Sequence, residues 1–78
     1  MSDRVTKIFS QVLKVPVGSI NDTTSPDNTT EWDSLAAMNL VQAIEDEFDV
    51  RLSPREILAM HSVAIVKRVL RGKGIADI

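Results

Sequence analysis

The sequence predicts an all-α fold, a small four-helix bundle with a long loop between its first and second helices and a short third helix. Apolar residues recur every three or four positions in four separate segments, which is the spacing of one helix face. Residues that favour helix N-caps stand before several of these segments. No strand-like alternation or hairpin signal competes with this interpretation. A chain of 78 residues allows one domain, 1–78, with one core.

The first helix is predicted from about Asp3 to about Lys14, with Ser2 as a candidate N-cap. Pro16 lacks a backbone N–H donor and Gly18 follows it, so the helix cannot continue far beyond them. Five apolar residues at helical spacing form its inner stripe: Val5, Ile8, Phe9, Val12 and Leu13.

A long connection follows over residues 16–33, rich in Asn, Asp, Ser, Thr and Pro, which favour turns. Loops of this length are uncommon in compact domains and are usually functional or partly disordered. Trp32 is the sole tryptophan, and we expect it to pack the loop onto the start of the second helix. The alternative is that it forms a wall beside a bound group. Three apolar residues are expected to hold the first part of the loop against the core: Val15, Val17 and Ile20.

The second helix is expected over about 34–48, behind two residues that both favour the N-cap position, Asp33 and Ser34. Either side chain can accept a hydrogen bond from a free N–H group of the first turn. We expect the Ser34 hydroxyl to lie in water, at a helix end that favours an anion such as a phosphate. The apolar residues taken as its core face are Leu35, Met38, Val41, Ile44 and Phe48.

The last third of the chain predicts two more helices. Residues 53–56 (Ser-Pro-Arg-Glu) form a capping box with Pro at the first helical position, which starts a short third helix. A fourth helix is expected over about 63–71, with Ser62 as its N-cap. Two glycines, Gly72 and Gly74, end it. The apolar contacts of the third helix come from Ile57, Leu58 and Met60.

The negative charge is concentrated in the middle of the chain. The net charge is −2, yet residues 21–50 carry −8 and contain no Lys or Arg. A block of one sign around Ser34 suits the steering of a basic partner surface, and a plain solvated face is the alternative. The residues proposed for partner recognition are Asp33, Glu45, Asp46 and Glu47.

The residue inventory disfavours several classes of site. There is no Cys, so disulfides and thiolate metal sites are excluded, and thioester chemistry would need an imported thiol. His61 is the sole His, too few for a metal site or a catalytic triad, and we expect it at the surface or as a cap. Glu45, Asp46 and Glu47 are adjacent and diverge around a helix, which disfavours a catalytic carboxylate pair. We therefore expect neither an enzyme nor a metal site.

The sequence shows no membrane or secretory signal. No stretch approaches the roughly 20 apolar residues that span a bilayer. Residues 1–4 lead into an amphipathic pattern and not into an apolar run, so we expect no signal peptide. With the absence of Cys, this predicts a cytoplasmic protein.

The sequence Asp33-Ser34-Leu35 at the start of an amphipathic helix resembles the acyl carrier proteins. The resemblance covers about residues 3–71 and includes Leu40-Val41, the acidic residues 45–47, Phe48-Asp49-Val50 and Ser62-Val63. It implies that Ser34 carries 4'-phosphopantetheine, derived from coenzyme A, through a phosphodiester, and that acyl groups are held on its thiol as thioesters. It also implies that Asp33 and Leu35 flank the attachment site and that the modifying transferase reads Asp33 first.

The resemblance further implies partners and a second use for the core. In this family the bundle interior can open to shelter an acyl chain, which gives Met38, Val41, Ile44, Phe48 and Ile57 a lining role. The implied partners are a phosphopantetheinyl transferase and acyl-loading, acyltransferase or condensing enzymes of a fatty-acid, specialised lipid or polyketide pathway. A monomer is expected, with no nucleic acid or membrane partner.

Two departures from the family pattern favour a dedicated carrier over the general fatty-acid-synthesis one. Uncharged residues follow Ser34 where typical carriers of that pathway place acids, and Trp32 precedes the Asp-Ser pair. A peptidyl or aminoacyl carrier of the same fold, and a cofactor-free helical interaction adaptor, remain alternatives. A nucleic-acid-binding domain using Arg51 and Arg55 is a third, which the −8 block of residues 21–50 opposes.

Overall fold

The computed structural model describes residues 4–75, and within that range the regular structure is helical. The predicted all-α fold is confirmed, with a long loop before the second helix and a short third helix. The predicted start of the first helix, at Asp3 with Ser2 as its cap, lies outside the described residues. The helices are α1 (Arg4–Leu13), α2 (Ser34–Phe48), α3 (Pro54–Ala59) and α4 (Val63–Gly72).

A single apolar core joins α1, α2 and α4 to the loops between them. The stripe predicted for α1 is confirmed, except that Val12 is only partly buried. Trp32 is buried and packs edge-to-face against Phe9 of α1, with the ring centroids 5.0 Å apart. It therefore anchors the loop, as predicted, although its ring contact is with α1. The most deeply buried side chains are Phe9, Leu40, Ile44, Leu70, Val5, Val63 and Val66.

The buried face of α2 differs from the predicted one. The predicted face is wrong at Leu35 and Met38, which are 69% and 71% exposed. At about 100° per residue, Leu35 lies nine residues and about 180° around the helix from Ile44, which is fully buried. The predicted row is spaced mostly by three residues, whereas the buried row is spaced by four. The two rows therefore coincide only at Ile44 and Phe48, near the end of α2. The buried row is Ala36, Leu40, Ile44 and Phe48, with Val41 partly buried beside it.

The first part of the long loop is more structured than the sequence predicts. Lys14 ends α1 by adopting a left-handed φ of 59°, and a single 3-10 turn spans Val17–Ser19. Ile20 is buried and Val15 packs against the core, as predicted. The prediction for Val17 is wrong, because this residue opens the 3-10 turn and its side chain is exposed.

The second part of the loop is attached to the start of α4. The backbone N–H of Val63 donates to the Thr24 carbonyl at 3.0 Å, and that of Ala64 donates to the Asp22 carbonyl at 3.1 Å. These N–H groups have no acceptor inside their own helix, so the loop supplies one. Lys67 adds an ion pair to the Asp22 carboxylate at 3.1 Å. The loop that leads to α2 is thereby fixed to α4.

The short helix α3 is held at its ends. None of its own residues is buried, but Leu52 before it and Met60 after it are core residues. The predicted capping box is confirmed, since the Ser53 N–H donates to Glu56 at 2.8 Å and the Glu56 N–H donates to the Ser53 hydroxyl at 3.2 Å. The Ser53 N–H, together with the Lys73 ammonium 2.9 Å away, lowers the pKa of Glu56 below its ordinary value.

The predicted boundaries of α4 are confirmed. The Ser62 hydroxyl caps the helix by accepting from the Ile65 N–H at 3.2 Å. The helix ends at Gly72, and Gly74 takes a left-handed φ of 93° that a residue with a Cβ rarely adopts. The Ile75 N–H then donates back to a carbonyl of the last turn at 3.1 Å.

The facing of α2 predicts the cost of two substitutions. Phe48 is 7% exposed and lies under the Arg4 guanidinium, 4.4 Å from the ring centroid. Phe48→Ala should lower the free energy of unfolding by about 3–5 kcal/mol, because it removes a large buried aromatic side chain. Met38→Ala, on the exposed face, should change it by less than about 0.5 kcal/mol. Urea denaturation of both variants checks the prediction, and similar midpoints for the two would contradict the facing described above.

Candidate functional site

Ser34 is the first helical residue of α2, and Asp33 is its N-cap. The Asp33 carboxylate accepts from the Ala36 N–H at 2.8 Å, from an extended backbone conformation. The sequence left open which of the two residues caps the helix, and the geometry assigns the role to Asp33. Ser34 is exposed, and among residues 4–75 the structure gives its hydroxyl no hydrogen-bond partner. The hydroxyl is therefore not needed to start the helix.

Large apolar side chains are exposed on α2 and α3, and two of them line the same depression as Ser34. Leu35 and Met38 project from α2, and Ile57 and Leu58 from α3, with exposed fractions of 69%, 71%, 37% and 73%. Large apolar side chains exposed on two neighbouring helices are candidates for a binding surface. A depression of about 500 Å³ begins at Ser34 and runs between α2 and α3. Its walls are Pro26, Trp32, Asp33, Ser34, Ala37, Ile57, Leu58, Met60 and His61.

A second depression of about 320 Å³ continues along the same side of α2. It shares Ala37 and Ile57 with the first, and the two together are called the α2–α3 groove below. Three of the residues predicted to line an acyl chain, Met38, Val41 and Ile57, lie on the walls of this groove. The other two, Ile44 and Phe48, belong to the core and not to the groove walls.

A smaller hollow adjoins the groove. It measures about 30 Å³. Five of its six lining residues are also walls of the groove. The side chains around it are Trp32, Ala37, Leu40, Val41, Ile57 and Met60.

Of the four residues predicted to recognise partners, the structure places only Asp33 beside Ser34. The other three stand in the last turn of α2, about 17–20 Å from Ser34 along the helix at 1.5 Å per residue. Glu45 accepts from the Leu52 N–H at 2.9 Å, and Glu47 pairs with Arg4 at 3.0 Å. Asp46 is exposed and accepts from the Gln42 amide at 3.2 Å. Two of these three carboxylates therefore hold the chain's own elements together.

The surroundings of some residues of the site differ from what the sequence predicts. The exposure of Leu35 and Met38 was missed because the stripe was followed at a spacing of three and not of four. His61 was expected at the surface or as a cap, and it is an exposed groove wall beside Met60. Its place depends on how α3 meets α4, which no local pattern in the sequence gives.

The groove beside Ser34 has room for an attached group, and few of its side chains are suited to acid–base or nucleophilic catalysis. The groove walls include one His and one Asp, and the Asp is committed to capping α2. Within residues 4–75, no group of three or more His, Asp or Glu residues is placed to bind a metal ion. Among the same residues no helix is long and apolar enough to cross a membrane. The arrangement is that of an exposed serine hydroxyl beside an apolar surface.

Comparison with known proteins supports this description. Residues 3–70 match the family model for the phosphopantetheine attachment site. The chain is also similar to the acyl carrier protein of Buchnera aphidicola subsp. Schizaphis graminum, with 32% identity over 60 residues that span 77% of this chain and 76% of that relative. The family match covers most of the chain and includes Ser34 and both walls of the groove. This chain therefore belongs to the acyl carrier protein family and contains a phosphopantetheine-attachment domain.

Proposed function

We propose that this protein holds acyl intermediates as thioesters on a 4'-phosphopantetheine arm attached covalently to Ser34. It presents them to partner enzymes of a fatty-acid, specialised lipid or polyketide pathway. The observation that carries the proposal is that Asp33 and Ser34 have different roles at the start of α2. Asp33 caps the helix, so the exposed Ser34 hydroxyl is available for a phosphodiester.

The residues present fit a phosphopantetheine group. The N-terminal end of the 15-residue α2 carries a partial positive charge that favours a phosphate on Ser34. The α2–α3 groove begins at the same residue and offers apolar walls to an arm. The sequence contains no Cys, and the bound group supplies the thiol that holds the acyl cargo.

The chain's own residues position the arm and do not react. The Asp33 cap fixes the backbone on which Ser34 stands, so the attachment point is rigid. Met38, Val41 and Ile57 supply the apolar surface along which an arm and its cargo can lie. This agrees with membership of a family of carriers, which are generally not catalytic.

The supply of the arm and the choice of partners are part of the proposal. A phosphopantetheinyl transferase would transfer the arm from coenzyme A, and acyl-loading, acyltransferase or condensing enzymes would use the loaded protein. The exposed apolar residues around Ser34, with few charges among them, support a dedicated partner set over the general fatty-acid enzymes. A cytoplasmic location and a monomeric state remain predictions.

Two other functions are compatible with this site. A peptidyl or aminoacyl carrier would use the same Ser34 and the same arm, and would differ only in its cargo. A cofactor-free adaptor would use exposed Leu35, Met38 and Leu58 to bind a fixed partner and would leave Ser34 unmodified. Attachment at Ser34 separates the adaptor from both kinds of carrier.

The first test is covalent modification. Incubation with coenzyme A and a broad-specificity phosphopantetheinyl transferase should add one phosphopantetheine to the wild type and none to Ser34→Ala, as read by intact mass. Ser53→Ala, which removes the N-cap serine of α3, is the matched control and should be modified like the wild type. An unmodified wild type with several transferases, or a modified Ser34→Ala, would count against a carrier and in favour of the adaptor.

The second test is the charge dependence of that modification. Asp33→Ser keeps a capping oxygen but removes the charge beside Ser34, so it should slow the initial rate at low salt. Asp46→Lys should slow it less, because about 20 Å exceeds the screening length of about 10 Å at 0.1 M salt. Arg68→Glu, on α4, is the control and should have little effect.

Initial rates at two salt concentrations, with folding checked by circular dichroism, decide between these outcomes. If Arg68→Glu slows modification more than Asp33→Ser does, the transferase approaches a face other than the start of α2.

A further inference from the structure

His61 is a groove residue to which the proposed function gives no role. It lines the first depression of the α2–α3 groove together with Asp33 and Ser34. Its side chain is exposed, and among residues 4–75 the structure gives the imidazole no hydrogen-bond or ion-pair partner. An imidazole in this position is available to a group that is attached to Ser34.

His61 is also the groove side chain that can carry a positive charge. Among the described residues, no Lys or Arg lines either depression, and the one carboxylate there is that of Asp33. Histidine changes its charge between about pH 5 and 8, so the groove gains a cation toward the acid end of that range. A cation among apolar walls suits the anionic part of an attached group and not an apolar cargo.

Two helix ends beside His61 favour an anion as well. Ser34 is the first residue of α2, and His61 stands directly before Ser62, the N-cap of α4. The N-terminal end of a helix carries a partial positive charge, so an imidazolium next to it is unfavourable unless an anion compensates it. A phosphate on Ser34 would supply that anion at the wall that His61 shares with it.

The backbone on both sides of the depression is anchored. The N–H of His61 donates to the Ala59 carbonyl at 2.9 Å, Met60 before it is buried in the core, and the Ser62 hydroxyl after it caps α4. Across the depression, the Asp33 cap fixes the start of α2. The space between them measures about 500 Å³, within the range of about 300–1,000 Å³ that is typical of small-molecule sites.

Other charged groups on the neighbouring elements are paired or lie outside the groove. Asp22 of the loop pairs with Lys67 of α4 at 3.1 Å, and Glu56 of α3 pairs with Lys73 at 2.9 Å. Asp33 therefore remains as the charged neighbour of His61 on the groove walls. The exposed charges that line neither depression are Asp27, Glu31, Arg55 and Arg68.

We propose that His61 binds the phosphodiester of the arm on Ser34 and so directs the arm into the α2–α3 groove. It is a positioning residue, whose imidazole N–H donates to a phosphate oxygen, and no covalent bond is made or broken. The proposal rests on the proposed function, since it requires an arm on Ser34. Protonation of the imidazole strengthens the hydrogen bond, so the arm is held more firmly at pH 6 than at pH 8.

Phosphorus NMR of the holo protein tests the contact directly. A phosphodiester keeps one negative charge between about pH 5 and 8, so a shift of its signal over this range reports a neighbouring group that titrates. In the wild type the signal should move with a single transition. In His61→Gln, which keeps an N–H donor but cannot change its charge, the signal should stay in place. A wild-type signal that does not move, or that moves equally in His61→Gln, would overturn the proposal.

Melting temperatures give a second readout, taken as the holo value minus the apo value so that charges elsewhere cancel. The contribution of the imidazolium is present at pH 6 and is lost as the pH rises and the ring loses its proton. In the wild type this difference should be larger at pH 6 than at pH 8 by about 1–4 °C, the size expected for an exposed ion pair in a small domain.

Three variants show whether this pH dependence belongs to His61. His61→Gln should abolish it, and His61→Lys, which stays charged, should show the same difference at both pH values. Arg68→Gln removes an exposed cation of α4 that lines neither depression, and it should keep the wild-type pH dependence. A pH dependence that persists in His61→Gln would contradict the contact.

Amide chemical shifts test whether the contact directs the arm. The changes that attachment produces at Met38, Ile57 and Leu58 on α2 and α3 should be smaller in His61→Gln than in the wild type at pH 6, because the arm leaves the groove more often. Equal changes in the two proteins would overturn the role of His61 in directing the arm.

The outcomes distinguish this inference from the proposed function. Intact mass is recorded first, and a wild type that gains no phosphopantetheine refutes the carrier function itself. A loaded wild type whose phosphorus signal is independent of pH refutes only the role of His61. Circular dichroism checks the folding of each variant, and the phosphorus signal of the wild type decides the question if a variant does not fold.

Discussion

The hydrogen bond from the Ala36 N–H to the Asp33 carboxylate is the interaction on which the site depends. It fixes the start of α2 at Ser34. Ala36 and Leu40 then turn into the core, while Ser34 and its neighbours remain outside. Loss of such a cap typically costs about 0.5–2 kcal/mol, a large share for a domain whose total stability is about 5–15 kcal/mol.

Several charged residues stabilise the fold through contacts that their distribution along the sequence does not reveal. Glu45 fixes the exit from α2 through the Leu52 N–H, and Glu47 pairs with Arg4 across two helices. Asp22 holds Lys67, which ties the long loop to α4. Exposed ion pairs of this kind are each worth little, but the backbone hydrogen bonds beside them fix the same junctions. What remains around Ser34 is an apolar surface with Asp33 at its edge.

Much of the fold could be predicted from the sequence, because caps and breakers are local signals. Ser53, Ser62 and Gly74 each act as predicted from the few residues beside them. The phase of α2 could not be predicted, because Leu35 and Ala36 both belong to plausible apolar rows. Packing against Phe9 and Trp32 selects the row that faces inward. The groove likewise requires α3 to meet α2, which depends on contacts far apart in the chain.

The central proposal is that an arm attached to Ser34 lies along the α2–α3 groove. Backbone chemical shifts of the apo and holo forms, compared by NMR, test it most directly. The account predicts that attachment changes the amide shifts of Met38, Ile57 and Leu58 around the groove, and leaves those of Phe9 and Ile44 as they are. Changes centred on Phe9 and Ile44, or confined to the far end of α2, would contradict it.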